Sequence, residues 1–136
     1  MAMKLGRNIL EPSFSRVPEY DTNRRDTGSY TFACTCSAEV MVPFDDLIES
    51  AWNYERLLEP GLLAQARARF EIGEVGKAHD GGFVSLHRAS CETCGATYLV
   101  YAGVREPSAG WYQVTVQGIV ELTRGNDAAS QAHRTR

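Results

Sequence analysis

Two pairs of cysteines place the strongest constraint on how this chain can fold. Cys34 and Cys36 form the first pair, and Cys91 and Cys94 form the second. Each pair lies between two strand-like segments, which are 30–33 and 38–42 for the first pair and 83–88 and 96–101 for the second. Two hairpins whose tips each carry two thiols can close one tetrahedral S4 site, with every ligand on a short turn. The pattern therefore predicts a structural Zn²⁺ bound by these four cysteines.

The second pair has the more specific pattern. Residues 91–95 match a C-x-x-C-G turn, in which both sulfurs bind the metal and the trailing glycine adopts a left-handed backbone. The first pair has the tighter C-x-C spacing, and Ser37 stands where this pattern has glycine. Residues 37–90 separate the two pairs, which is longer than the roughly 15–20 residues of compact zinc motifs. Predicted helices fill this gap.

At these residues the chain resembles the zinc-ribbon proteins, and most closely the bacterial CpXC-type arrangement. In that arrangement a first cysteine pair, a helical insertion and a second C-x-x-C-G turn share one ribbon. The resemblance covers residues 29–122 and is carried mainly by residues 91–95. The first motif, Cys34-Thr35-Cys36, lacks the proline of the family's C-P-x-C. The resemblance implies a structural metal and a fold, and it implies no particular activity.

Other roles for the cysteines remain open from the sequence. Free cysteines are often buried without binding anything. A redox dithiol requires Cys91 at a helix N-terminus, whereas a β-rich segment follows it. A catalytic zinc requires an open fourth position, and four thiols favour a closed site. His87, four residues before Cys91, is a candidate substitute ligand, although a histidine on a strand surface is the commoner case.

The rest of the pattern predicts an α+β fold, with an antiparallel β-sheet of zinc-ribbon hairpins and a two-helix insertion packed on one face. The hairpins are expected at 29–43 and 83–103. A further strand is expected at 112–122, where strict alternation places one set of residues on a single face. That set is Tyr112, Val114, Val116, Val120 and Leu122.

The helical insertion is expected at about 45–70. Asp45 is the expected N-cap of the first helix, after the strand stops at Pro43. Its apolar stripe includes Leu47 and is widened by Trp52. The second helix is expected to start at Pro60, because proline is favoured at the first helical position.

Length and composition predict a single domain with two irregular ends. The chain has 136 residues, of which 43% are hydrophobic, and these values are typical of one globular domain. Residues 1–28 are expected to form an irregular arm with a short strand near 8–10, because no regular period survives there. Residues 29–122 form the zinc-ribbon-like domain. Residues 123–136 are expected to form a loose tail.

Charge and hydropathy restrict the partner and the location. The net charge is −3 and the pI is about 5.6, which argues against a phosphate-binding surface and is compatible with a basic partner. No apolar stretch approaches the roughly 18 residues of a membrane span, and the N-terminus lacks the apolar core of a signal peptide. A cytoplasmic location is therefore expected. Thiols there stay reduced, so C-x-x-C indicates a metal or catalysis rather than a disulfide.

Three functions are compatible with this sequence. The favoured hypothesis is a non-enzymatic, zinc-stabilised protein-binding module, for example a bacterial immunity or antitoxin protein that binds a basic toxin. The first alternative is a nucleic-acid-binding zinc ribbon, with Arg88, Arg105 and exposed tyrosines as contacts. The second is an enzyme that uses zinc or the thiols of Cys91 and Cys94. For the enzyme, the sequence offers no G-x-S-x-G, H-E-x-x-H or paired-carboxylate motif.

Overall fold

The computed structural model of the chain describes residues 3–11, 20–22, 28–72, 77–78 and 82–124. The elements in chain order are β1 (Met3–Leu10), β2 (Tyr20–Thr22), β3 (Ser29–Ala33), β4 (Glu39–Pro43), α1 (Phe44–Leu57), α2 (Pro60–Phe70), β5 (Phe83–Ser90), β6 (Thr97–Ser108) and β7 (Trp111–Arg124). All the strand pairs that these elements form are antiparallel. The predicted α+β class is confirmed.

A large antiparallel sheet forms the body of the protein. Its strand order is β1-β7-β6-β5, and the short β2 also pairs with β7. Strands β6 and β7 form a long hairpin that runs from the Ser108↔Trp111 pair to the Thr97↔Leu122 pair. β5 pairs with β6 along its whole length, from Phe83↔Val104 to Ser90↔Thr97. The second cysteine pair therefore lies in the turn between β5 and β6, as the sequence predicts.

The first hairpin is a separate two-stranded sheet. Among the strands that the structure describes, β3 and β4 pair only with each other, from Ser29↔Pro43 to Ala33↔Glu39. Val40 and Val42 of β4 point inward, and they belong to the same buried cluster as side chains of β6 and β7. A two-stranded sheet is marginally stable in water on its own. The hairpin is therefore stabilised by the residues on which it packs.

The N-terminal residues form strands where the sequence predicts an irregular arm. β1 extends over Met3–Leu10, beyond the short strand expected near 8–10, and β2 adds a second strand at Tyr20–Thr22. The prediction failed because the pairing of β1 with β7 is irregular between Leu5 and Leu10, and such bulges break the period of two. Residues 12–19 and 23–27 of the predicted arm lie outside the described residues. So do residues 125–136 of the predicted tail, while 123 and 124 belong to β7.

The outer edge of β1 is capped by side chains of α2. The amide of Gln65 spans two backbone groups of this edge: it accepts from Leu5 N at 3.0 Å and donates to Met3 O at 3.2 Å. Arg69 Nη1 donates to Gly6 O at 2.9 Å. Gln65 thus supplies the hydrogen bonds that a further strand would make.

The helices begin and end close to the predicted residues. α1 follows Pro43, which occupies the N-cap position without a side-chain hydrogen bond, so the prediction of Asp45 as N-cap is wrong. Asp45 lies in the first turn of the helix, where its negative charge interacts favourably with the helix dipole. α2 begins at Pro60 as predicted. In the described part of the chain, neither helix has the length and hydropathy needed to cross a bilayer.

The two helices contribute to cores on opposite faces of the large sheet. α1 contributes Phe44, Leu47, Ile48 and Ala51 to one buried cluster, which contains Tyr98, Val100 and Ala102 of β6, while its Tyr54 belongs to the other cluster. α2 contributes Leu62, Ala66 and Phe70 to another, which contains Leu99 and Tyr101. Neighbouring residues of a strand point to opposite faces. The prediction that both helices pack on one face is therefore wrong.

The connection between the helices passes the edge of β5. Arg88 of β5 is ion-paired with Glu59, which lies between the two helices. Leu57 and Leu58 line one cavity together with Leu86 of β5. Trp52, expected in the buried stripe of α1, is instead 55% exposed and lies against Phe83 of β5 with ring centroids 6.3 Å apart.

A bulge in β7 reverses its side-chain alternation. The pairing with β6 shifts between Tyr101 and Ala102. Tyr101 pairs with Gly118 and Ala102 pairs with Val116, so Gln117 is the extra residue of the bulge. Val116 therefore belongs to the cluster beneath α1, while Val120 belongs to the other. The prediction that these residues share one face is wrong beyond residue 116. Gln117 is fully buried at the bulge.

Candidate metal centre

The two hairpin tips bring all four cysteine sulfurs together. Cys34 Sγ lies 3.5 Å from Cys94 Sγ, and Cys36 Sγ lies 3.7 Å from Cys91 Sγ. All four sulfurs lie within 4.8 Å of one another. A tetrahedral Zn–S4 centre with Zn–S distances of about 2.3 Å has sulfurs separated by about 3.8 Å. The four thiols are unbonded to one another, and their spacing fits a single ion of this size.

Each tip contains a left-handed residue whose N–H donates to the carbonyl of the first cysteine of its pair, and the residue differs between the two tips. In the second tip Gly95 has φ 82°, and its N–H donates to Cys91 O at 2.8 Å. In the first tip Ser37 has φ 78°, and its N–H donates to Cys34 O at 2.8 Å. Ser37 therefore occupies the left-handed position that the pattern assigns to glycine, in a turn that is one residue shorter. This conformation is strained for a residue with a side chain.

Tyr98 is a contact of the sulfur cluster that the sequence did not identify. Its hydroxyl lies 3.0 Å from Cys34 Sγ and accepts a hydrogen bond from Thr35 N at 3.3 Å. When Cys34 is a thiolate, as a metal ligand must be, it has no proton, so the Tyr98 hydroxyl is the donor of this contact. The side chain is fully buried, and its ring packs edge-to-face on Phe32 at 5.2 Å. No local pattern connects residues 34 and 98, so only the pairing of the hairpins reveals this contact.

The electrostatics of the thiols show why the cluster suits a cation. The pKa of Cys34 is lowered to about 6, first by a backbone hydrogen bond at Cys36 and then by the Tyr98 hydroxyl. The pKa of Cys94 is raised to about 12: the backbone at Ala96 lowers it, but the neighbouring thiols and burial outweigh that effect. Without a cation, negative charge on one sulfur opposes ionisation of the next. A divalent ion removes this opposition, because each thiolate then faces positive charge.

His87 lies outside the cysteine cluster. Within the described residues, the group able to hold a metal consists of the four cysteines. His87 Nδ1 is instead 3.0 Å from Ser50 Oγ, and its Nε2 is 3.9 Å from Asp46 Oδ2. Burial lowers the pKa of His87, and the nearby Asp46 carboxylate acts in the opposite direction. The structure therefore gives His87 neighbours in α1 and no place as a substitute ligand.

Ser50, His87 and Asp46 are the residue types of a hydrolytic triad, but they lie where α1 packs on β5. Ser50 is 3% exposed, so its hydroxyl is closed to a substrate. A catalytic serine requires both an accessible oxygen and donors for the oxyanion. Close by, Ser85 Oγ donates to Leu47 O at 2.6 Å, which gives α1 a second polar link to β5. We interpret the three side chains as part of this helix–strand interface.

Most of the side chains expected to contact nucleic acid are engaged elsewhere. Tyr98 and Tyr101 are fully buried and Tyr112 is 9% exposed, so these three rings pack in the core and present no face for stacking on bases. Arg88 is ion-paired with Glu59. Arg105 lines a cavity of about 210 Å³ together with Lys77 and Glu106, so a carboxylate accompanies the two cations.

The redox alternative also lacks its expected geometry. Residues 92–94 form a turn, and β6 follows. Cys91 therefore does not begin a helix whose dipole could lower its thiol pKa.

Comparisons of the chain with protein families, with characterised proteins and with solved structures find no match.

Proposed function

We propose that this chain is a non-enzymatic, zinc-stabilised protein-binding domain. The observation that carries the proposal is the convergence of four sulfurs from two hairpin tips within 4.8 Å. In the zinc-ribbon reading, Cys34 and Cys36 supply two ligands, and Cys91 and Cys94 supply the other two. Zinc is the metal that all-thiolate tetrahedral sites most often hold in proteins.

The position of the four thiols supports a structural role for the metal. Four thiolates saturate a tetrahedral ion and leave no position for water or substrate. The four cysteines also come from two sheets that share no strand pairing within the described ranges, where β3 and β4 pair only with each other. A metal at this point links the small sheet to the large one. Binding of zinc by four thiols contributes on the order of 10–16 kcal/mol, which is comparable to the whole stability of a domain at about 5–15 kcal/mol.

Metal content and one ligand variant test this part of the proposal. We expect one zinc per chain in protein purified without added metal, measured by mass spectrometry of the metal. Cys94→Ser removes one ligand, so it should abolish cooperative unfolding or lower the melting temperature by tens of degrees. Thr93→Ser, in the same turn but with no ligand atom, is the matched control and should behave like the wild type. A Cys94→Ser protein with unchanged melting and unchanged metal content contradicts the proposal.

The protein-binding part rests on charge and on exposed apolar side chains. The net charge of −3 favours a basic partner. Met41, Trp52, Leu57 and Phe83 are each more than half exposed, and such side chains are typical contacts of protein interfaces. An immunity or antitoxin protein that binds a basic toxin is one form of this proposal. Affinity capture from native lysate, repeated at several salt concentrations, tests it; failure to recover a stoichiometric protein partner contradicts it.

A further inference from the structure

The groove between the two sheets has acidic walls and open strand edges. Its lining residues come from β4, from the end of β5 and from the turn that follows: Glu39, Val40, Met41, Ser90, Glu92 and Thr93. Its volume is about 280 Å³. Five of these six side chains are exposed, Met41 by 61%, while Val40 forms a buried floor.

One wall of the groove carries backbone groups that pair with no other strand that the structure describes. Cys34 N–H donates to Ala38 O, which makes these two residues a hydrogen-bonded pair. Because such pairs alternate in antiparallel strands, Val40 and Val42 direct their N–H and C=O groups to β3. Glu39 and Met41 therefore direct theirs away from β3, towards the groove. Pro43, which has no N–H, occupies the next outward position and is consistent with this alternation.

Within the described residues, the opposite wall is open near the cysteine cluster. β5 is the last strand in the order of the large sheet, and its pairing other than with β6 is an isolated bridge between Phe83 and Lys77. The helix connection passes this edge at Arg88, through the ion pair with Glu59. Beyond that point, no strand of the described part of the chain pairs with the outer edge at Ser90, which lines the groove. An extended chain of a few residues can therefore enter at this end of β5.

The charge of the groove selects the chemistry of the occupant. Glu39 and Glu92 stand at its walls, and none of the six lining residues is basic. A divalent ion held by four thiolates carries a net charge of −2, and Cys91 directly precedes Glu92. A groove beside two carboxylates and a dianionic centre attracts Lys and Arg side chains.

We propose that this groove binds an extended basic segment of a partner protein, which pairs with the outer edge of β4 through Glu39 and Met41 and places a Lys or Arg between Glu39 and Glu92. The inference rests on the proposed protein-binding function and names its site and the class of its ligand. Main-chain hydrogen bonds to an open edge provide affinity in this mode of recognition, and side chains at alternate positions provide selectivity.

A blocked peptide of alternating lysine and valine, six residues long, is the probe, and fluorescence anisotropy of a labelled copy measures its binding to the zinc-loaded protein. We expect saturable binding that weakens with salt. The double variant E39Q/E92Q should weaken it about 5- to 10-fold, which corresponds to about 0.5–0.7 kcal/mol for each of two exposed ion pairs. Glu71→Gln makes the same charge change at an exposed residue after α2 and should leave binding unchanged.

Two further measurements isolate the role of the strand edge. Met41→Pro removes an outward N–H without removing a bond to β3, so it should reduce binding at least tenfold while zinc content and melting stay unchanged. The same peptide with N-methyl groups at alternate residues tests the edge without altering the protein, and it should not bind. Absence of binding, or binding that tolerates both Met41→Pro and E39Q/E92Q, overturns the inference. If a partner captured from lysate still binds Met41→Pro and E39Q/E92Q normally, the groove is refuted while the protein-binding function stands.

Discussion

Tyr98→Phe removes a single oxygen atom from the surroundings of the metal centre. In the wild type this hydroxyl lies 3.0 Å from Cys34 Sγ. The phenylalanine ring keeps the edge-to-face contact with Phe32 and fills the same space. The substitution therefore tests one hydrogen bond and leaves the packing of the hairpins intact.

The expected effect follows from the charge of the acceptor. A hydrogen bond to a charged group contributes about 1.5–3 kcal/mol. Its loss corresponds to about a 10- to 100-fold rise in the dissociation constant of the metal, which is the range expected for a group that contacts a ligand rather than the ion. Part of this loss comes from Thr35, whose N–H no longer finds an acceptor in Tyr98. The variant should stay folded at saturating zinc.

Competition with a chromophoric chelator measures the metal affinity, and the sulfur-to-cobalt absorption band of the Co²⁺-substituted protein reports on the thiolates directly. We expect weaker zinc binding and a shifted cobalt band in Tyr98→Phe. Tyr101→Phe is the matched control: it removes the same atom from a fully buried tyrosine of the same strand, in the other core cluster. Equal zinc affinities of Tyr98→Phe and wild type, or equal losses in the two variants, would refute the role assigned to the hydroxyl.

Two other positions give independent predictions. Burial keeps the pKa of His87 below its ordinary value of about 6.5, against the opposing effect of Asp46. The unfolded chain therefore binds more protons than the folded chain just below pH 6.5, so the free energy of unfolding falls as the pH drops from 6.5 to the folded pKa. Urea titrations at matched zinc saturation measure this dependence, and His87→Gln should make it flatter. Equal slopes for the variant and the wild type would contradict the assignment. Ser37 has φ 78°, a left-handed conformation that glycine adopts without strain. Ser37→Gly should therefore increase the free energy of unfolding by about 0.5–1 kcal/mol and raise the melting temperature. Thr35→Gly in the same turn should lower it, and a stabilised Thr35→Gly would contradict the argument.

The sequence predicts features that depend on neighbouring residues. The turn at residues 91–95 follows from a short motif, and the structure brings its sulfurs to those of Cys34 and Cys36. The start of α2 follows from Pro60. The paired hairpins follow from alternating apolar residues around each cysteine pair. Each of these depends on local backbone preferences, which the chain carries at the site itself.

Features that depend on distant partners were not predicted. The strand at Met3–Leu10 has no visible period, because its irregular pairing is accommodated by β7. Gln117 reverses the alternation of β7, and nothing in the adjacent residues marks it as the bulge. The placement of the two helices on opposite faces depends on how their connection passes β5, which amphipathicity alone does not determine. The contact between Tyr98 and Cys34 joins residues that are 64 positions apart.

The cap that Gln65 places on β1 has a consequence for the behaviour of the protein in concentrated solution. A bare outer strand invites the same strand of a second copy to join it, and repetition of that step leads to fibres. Here the side chain of one helix already satisfies Leu5 N and Met3 O. A second copy therefore meets these two backbone groups already paired, and we expect the sheet not to extend by self-association at this part of β1.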